Sequence, residues 1–139
     1  MSNVKNIFLV DDDPTFIFLT KEIISTTNIE TIIEEFSDGQ EAIEYLKKNF
    51  DNNELLPDII FLDLHMQIMD GWEFIEEYIL LESKIQKKII LYIVSSSISP
   101  HDIERAKQLK VIKDFIIKPL EAHKFLEIVN SLSDVYQTE

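Results

Sequence analysis

The chain has 139 residues, 45% apolar and 28% charged, the size and balance of one globular domain able to bury a core without staples. It contains no cysteine, which excludes disulfides and thiolate metal sites and leads us to expect a reducing, cytoplasmic setting. Twenty-six acids against thirteen bases give a net charge of −13, a surface that repels phosphate backbones and anionic lipid, so neither nucleic acid nor membrane is an expected partner.

The first six residues carry no apolar stretch like that of a signal peptide. A strand is predicted at 5–10, where Ile7-Phe8-Leu9-Val10 runs into Asp11-Asp12-Asp13. Asp13 then reads as an N-cap and Pro14 as the first turn of a helix over 14–27, expected to bury Phe16, Leu19, Ile23 and Ile24. A second strand is predicted at 31–36, and Asp38-Gly39 opens a helix at 39–50. After the polar loop Asp51-Asn52-Asn53-Glu54, a third strand at 58–62 ends in Leu62-Asp63. Asp70-Gly71 opens a helix over 71–84 whose Trp72, Phe74 and Ile75 are expected against the sheet.

The fourth predicted strand, 89–94, runs into Ser95-Ser96-Ser97 and holds the longest apolar run, six residues, far too short to span a bilayer. Ser99-Pro100-His101-Asp102 caps a helix over 100–109. The fifth strand, 112–117, ends Phe115-Ile116-Ile117 and passes into Lys118-Pro119. A last helix at 119–133 is expected to bury Leu120, Phe125, Ile128, Val129 and Leu132, and the tail Gln137-Thr138-Glu139 to fray. His101 and His123 read as surface residues, because neither has a second histidine at ligand spacing.

Five strands alternating with five helices predict an α/β fold: a doubly wound parallel sheet covered on both faces, in the order 2-1-3-4-5. No repeat or linker interrupts it, so residues 1–139 read as one domain with a core over about 5–133. In such sheets the ligand crevice lies beyond the carboxyl ends of the strands where strand order reverses, which brings Asp11, Asp12 and Asp63 together. Three adjacent carboxylates repel one another, and a hard divalent cation with all-oxygen ligands, Mg²⁺, relieves the repulsion. A carboxylate beside such an ion can attack phosphorus, with a cation and a hydroxyl steadying the equatorial oxygens. Asp63, single and central, is the best nucleophile; Asp11 and Asp12 suit the metal, Lys118 the cation and Ser95 the hydroxyl.

With these motifs in order, the chain resembles a response-regulator receiver domain of bacterial two-component signalling, of the stand-alone chemotaxis type and flavodoxin-like fold. The resemblance covers roughly residues 5–133, through Val10-Asp11-Asp12-Asp13, Leu62-Asp63-Leu64-His65-Met66, Met69-Asp70-Gly71, Val94-Ser95-Ser96 and Lys118-Pro119. It implies that Asp63 accepts a phosphoryl group from a histidine kinase or histidine phosphotransfer protein. It also implies Mg²⁺ held by Asp12, Asp63 and the backbone carbonyl of His65, with Asp11 acting through water. Lys118 would contact the phosphoryl group, across a Lys118–Pro119 bond that is usually cis in such domains. Ser95 and Phe115 would form the switch, altering a face of the fourth helix, fifth strand and fifth helix read by a downstream protein. Such a protein works as a monomer or weak homodimer and catalyses only its own phosphorylation and dephosphorylation.

Three residues depart from the family pattern: Gln67 stands for a usual proline, Ser95 for threonine and Phe115 for tyrosine. The His65 side chain is placed to tune hydrolysis of the acyl phosphate. Two other readings compete. Asp11-Asp12-Asp13-Pro14-Thr15 fits the D-x-D-x-T pattern of haloacid-dehalogenase-type phosphatases, with Asp11 as nucleophile, although the further acid pair those enzymes need after the lysine is missing. A receiver-like scaffold that binds without phosphorylation is the third.

Overall fold

A computed structural model describes residues 4–96 and 99–137, with side chains through 132. Its five strands, β1 (Lys5–Val10), β2 (Thr31–Phe36), β3 (Ile59–Leu62), β4 (Ile90–Ser95) and β5 (Ile112–Ile117), form one sheet in the order 2-1-3-4-5. All four pairings are parallel, so the expected doubly wound topology stands. Ser97, and the tail residues Thr138 and Glu139 expected to fray, lie outside the described residues.

The helices are α1 (Pro14–Ser25), α2 (Gly39–Asn49), α3 (Gly71–Glu82), α4 (Pro100–Lys107) and α5 (Ala122–Gln137). Each predicted cap is made. The side chains of Asp13, Asp38 and Ser99 accept from backbone amides in the first turn, and Asp70 with Glu73 forms a reciprocal capping box. α5 starts three residues later than expected, and Leu120, ahead of the helix, is fully buried. The polar loop also holds a short 3-10 turn over Asn53–Leu55.

Strand alternation divides the core in two. Phe8, Val10, Ile60, Leu62, Leu91 and Ile93 face α2, α3 and α4. Their neighbours Ile7, Leu9, Ile59, Phe61, Tyr92 and Val94 face α1 and α5. Both faces of the central strands are therefore apolar, as burial between two helical layers requires. The edge strand β2 departs from that pattern: Ile32, Glu34 and Glu35 are exposed.

Two expected packings are corrected. α1 buries Phe16, Ile17, Thr20 and Ile24, whereas Leu19 is exposed and Ile23 half-buried. Phe16, Ile17, Phe18 and Leu19 are consecutive and cover every side of a helix, so apolarity alone does not choose the buried one. Trp72 is half-buried and reaches α4 as well as the core. Its indole donates to Asp102 at 3.2 Å, and Arg105 lies 4.3 Å from the ring centre.

At the amino ends of the strands a buried acid ties three of them together. Asp58 accepts from the Asn6 amide at 2.8 Å and pairs with Lys87 at 3.4 Å, while its own backbone bonds Asn6 and Ile90.

Candidate functional site

The carboxyl ends of β1 and β3 are neighbours because Val10 pairs with Leu62, and each strand continues directly into an acid. The Asp63 amide donates to the Val10 carbonyl at 2.9 Å and the Asp11 amide to Phe36 at 2.9 Å, which extends the ladder one residue into the site. Carboxylate oxygens of Asp11, Asp12 and Asp63 consequently lie within 4.8 Å of one another. Asp11 and Asp63 are buried and Asp12 is exposed.

Lys118 arrives from β5 on the other side. Its ammonium lies 2.9 Å from Asp11 Oδ2 and 3.8 Å from Asp63 Oδ2, and 4.4 Å from the centre of the Phe16 ring. The Lys118 amide donates to the Ser95 carbonyl at 3.0 Å, and the Lys118–Pro119 bond is cis. Ser95 is fully buried at the end of β4, while Phe115 is half-buried and packs on the α2–α3–α4 side of the core. The cation over Phe16 was not foreseen, since nothing in the spacing of residues 16 and 118 signals it.

Burial dominates the electrostatics. It pushes the Asp11 carboxyl up to about 6, against the lowering influence of Lys118 and of the Asp13 amide, which donates at 2.9 Å. Burial also raises Asp63, countered by Lys118 and by the amides of His65 and Leu64. Asp11 Oδ2 is fully enclosed and, beyond the ion pair, receives no well-directed hydrogen bond. One ammonium does not neutralise two buried acids and a third beside them, and a further cation offsets the remaining repulsion. Three carboxylates with no nitrogen or sulfur donor among them fit a hard divalent ion, Mg²⁺.

The loop after Asp63 is held from two sides. A Cβ at Gly71 would lie 2.5 Å from the Asp63 carbonyl and 2.8 Å from Leu64 Cα, so only glycine lets α3 begin there. Ahead of it, Ile68 has φ 68°, and the Met69 amide donates to the Gln67 carbonyl at 2.7 Å, closing a γ-turn. The His65 side chain is exposed, as are His101 and His123. A groove of about 500 Å³ opens from Asp11 and Asp12 past Phe18, Lys21, Glu35 and Glu41, giving the acids access to solvent.

In the phosphatase reading Asp13 would be the general acid. Asp13, third in Asp11-Asp12-Asp13-Pro14-Thr15, commits its carboxylate to the Thr15 amide at 3.0 Å as the cap of α1. Asp11, the nucleophile of that scheme, is the acid held by the lysine.

Comparison with known proteins points one way. The family described as the response regulator receiver domain matches residues 7–130. The chemotaxis protein CheY of Thermotoga maritima is 29% identical over 133 residues, spanning 93% of this chain and 98% of that protein. The nitrate/nitrite response regulator protein NarL of Escherichia coli is 31% identical over 94% of this chain, which corresponds to 56% of its own length. The crystal structure of a two component response regulator from Cytophaga hutchinsonii superposes with a TM-score of 0.82 at 28% identity, over 96% of this chain and 99% of that one.

Proposed function

The chain belongs to the response regulator receiver domains, and on that premise we propose that it accepts a phosphoryl group on Asp63 in a Mg²⁺-dependent reaction and relays this state to a protein partner. The observation that carries the reading is the convergence of Asp11, Asp12 and Asp63 within 4.8 Å, with the Lys118 ammonium 2.9 Å from Asp11 and 3.8 Å from Asp63.

The donor is the phosphohistidine of a histidine kinase or histidine phosphotransfer protein. Asp63 Oδ forms the new P–O bond as the P–N bond to the imidazole breaks, and the imidazole leaves with a proton from solvent. Asp12, Asp63, the His65 carbonyl and, through water, Asp11 would hold Mg²⁺, which would supply charge neutralisation for the phosphoryl oxygens. Lys118 already sits between the two buried acids, so moving to a phosphoryl oxygen leaves it in the same cluster. Ser95, at the end of β4, supplies the hydroxyl donor on the opposite side. Its displacement, with the ring of Phe115, biases the face of α4, β5 and α5 toward one of two arrangements that the target protein distinguishes. The chain thus acts as a binding module in the cytoplasm, with no turnover beyond its own phosphorylation and dephosphorylation.

Incubation with Mg²⁺ and acetyl phosphate, followed by mass spectrometry of the intact chain, tests this. One added phosphoryl unit, lost in Asp63→Asn, is the expected result. Label on Asp11 would instead support the phosphatase, and no label at all a phosphorylation-independent scaffold.

A further inference from the structure

The basic residues of this acidic chain are unevenly placed. Residues 84–113 hold seven of the thirteen, namely Lys84, Lys87, Lys88, Arg105, Lys107, Lys110 and Lys113, and only two of the twenty-six acids. Lys84, Lys87 and Lys88 lie between α3 and β4, Lys110 lies between α4 and β5, and Lys113 is the second residue of β5. Three of them, Lys88, Lys110 and Lys113, wall a cavity of about 290 Å³, with the half-buried Ile89 and Val111 as apolar lining and Glu82 as its one acid.

Two further features make this corner more than a solvated surface. β5 is an edge strand, and it bulges there: Leu91 pairs with Ile112 but Tyr92 with Asp114, leaving Lys113 as the extra residue. A bulge re-aims a side chain and blunts an edge. Asp114, the nearest acid in sequence, is engaged by Lys124 at 3.8 Å. Lys110 and Lys113 have no carboxylate at ion-pair distance among the described residues, so their charge faces outward uncompensated.

We propose that this corner is a docking surface for an acidic protein segment that carries an aliphatic side chain among its acids. Charge complementarity selects the acids, and the apolar lining of Ile89 and Val111 takes the aliphatic group. A long polyanion is the poorer fit, because the remainder of the molecule is strongly acidic and repels it beyond the corner. The corner lies at the amino ends of β4 and β5, whereas Asp63, Ser95 and Lys118 lie at the carboxyl ends. Six strand residues separate them, roughly 20 Å. A segment bound there leaves the acid site open to a phosphodonor.

Fluorescence anisotropy of the full chain with a labelled peptide of four glutamates, a leucine and four more glutamates tests both parts. Saturable binding is expected, weakening at least about tenfold between about 50 and 300 mM salt. Lys110→Glu/Lys113→Glu should weaken it by a similar factor while still taking up Mg²⁺, which shows that the variant is folded. Equal binding of the glutamine version of the peptide, or an unaffected double variant, would overturn the proposal. Equal or tighter binding of a single-stranded oligonucleotide of the same charge would overturn the choice of a protein segment.

Discussion

Asp11 is the residue on which proton and metal compete. Its carboxyl rises from 3.8 to about 6 because burial disfavours the anion more than Lys118 favours it. An acid raised in this way adds stability below its unfolded value of 3.8, and that contribution is lost as pH rises through about 6. Without metal, wild type should therefore lose stability relative to Asp11→Asn between pH 4 and 7, by on the order of 2–3 kcal/mol. Urea midpoints of both proteins across that range measure it, and parallel curves would contradict the burial argument. Ile68 is the other residue held against its preference. A β-branched side chain at φ 68° and 77% exposed gains nothing from burial to offset the backbone strain. Ile68→Gly, which has no Cβ to clash at positive φ, should stabilise the fold by about 0.5–1 kcal/mol, raising the melting temperature a few degrees. The three acids were legible in the sequence because each ends an apolar run. The φ of Ile68 and the ring under Lys118 were not, since they arise from loop closure and from contact between residues 16 and 118.

At the scale of the elements, the start of α3 decides the shape of the acid site. Gly71 donates its amide to the Leu64 carbonyl at 3.0 Å, pinning the loop after Asp63 to the first turn of the helix. The methyl of Gly71→Ala would meet the Asp63 carbonyl at 2.5 Å, and that atom is backbone held by the β1–β3 ladder. Relief requires the helix or the strand end to shift, so the variant should lose about 2–4 kcal/mol in thermal unfolding and bind Mg²⁺ more weakly. A variant with unchanged stability would show that the helix start has slack. Asp70-Gly71 reads in the sequence as a helix start, yet the close approach that requires glycine is a tertiary fact. The same division holds elsewhere. Caps and strand ends were legible because they depend on a few neighbouring residues. The buried side of α1, the α4 contact of Trp72 and the late start of α5 depend on what each helix meets, and local pattern does not carry that.

The whole molecule combines a crowded acid site with a net charge of −13, so two electrostatic costs oppose folding. One is long-range self-repulsion, which any salt screens; the Debye length falls from about 30 Å at 0.01 M to about 10 Å at 0.1 M. The other is local repulsion among Asp11, Asp12 and Asp63, which are within 4.8 Å and too close for a salt atmosphere to separate. Sodium chloride should therefore raise the melting temperature modestly in wild type and in Asp12→Ala alike. Mg²⁺ at the same ionic strength should add a second increment in wild type only, about 1.4 kcal/mol at ten times its dissociation constant. Asp12→Ala removes one ligand and some local repulsion together, so it should start more stable without metal and finish less stable with it. Melting curves in matched NaCl and MgCl₂ separate the two effects. An equal magnesium increment in both proteins would mean that the ion acts on the general field and that Asp12 does not hold it.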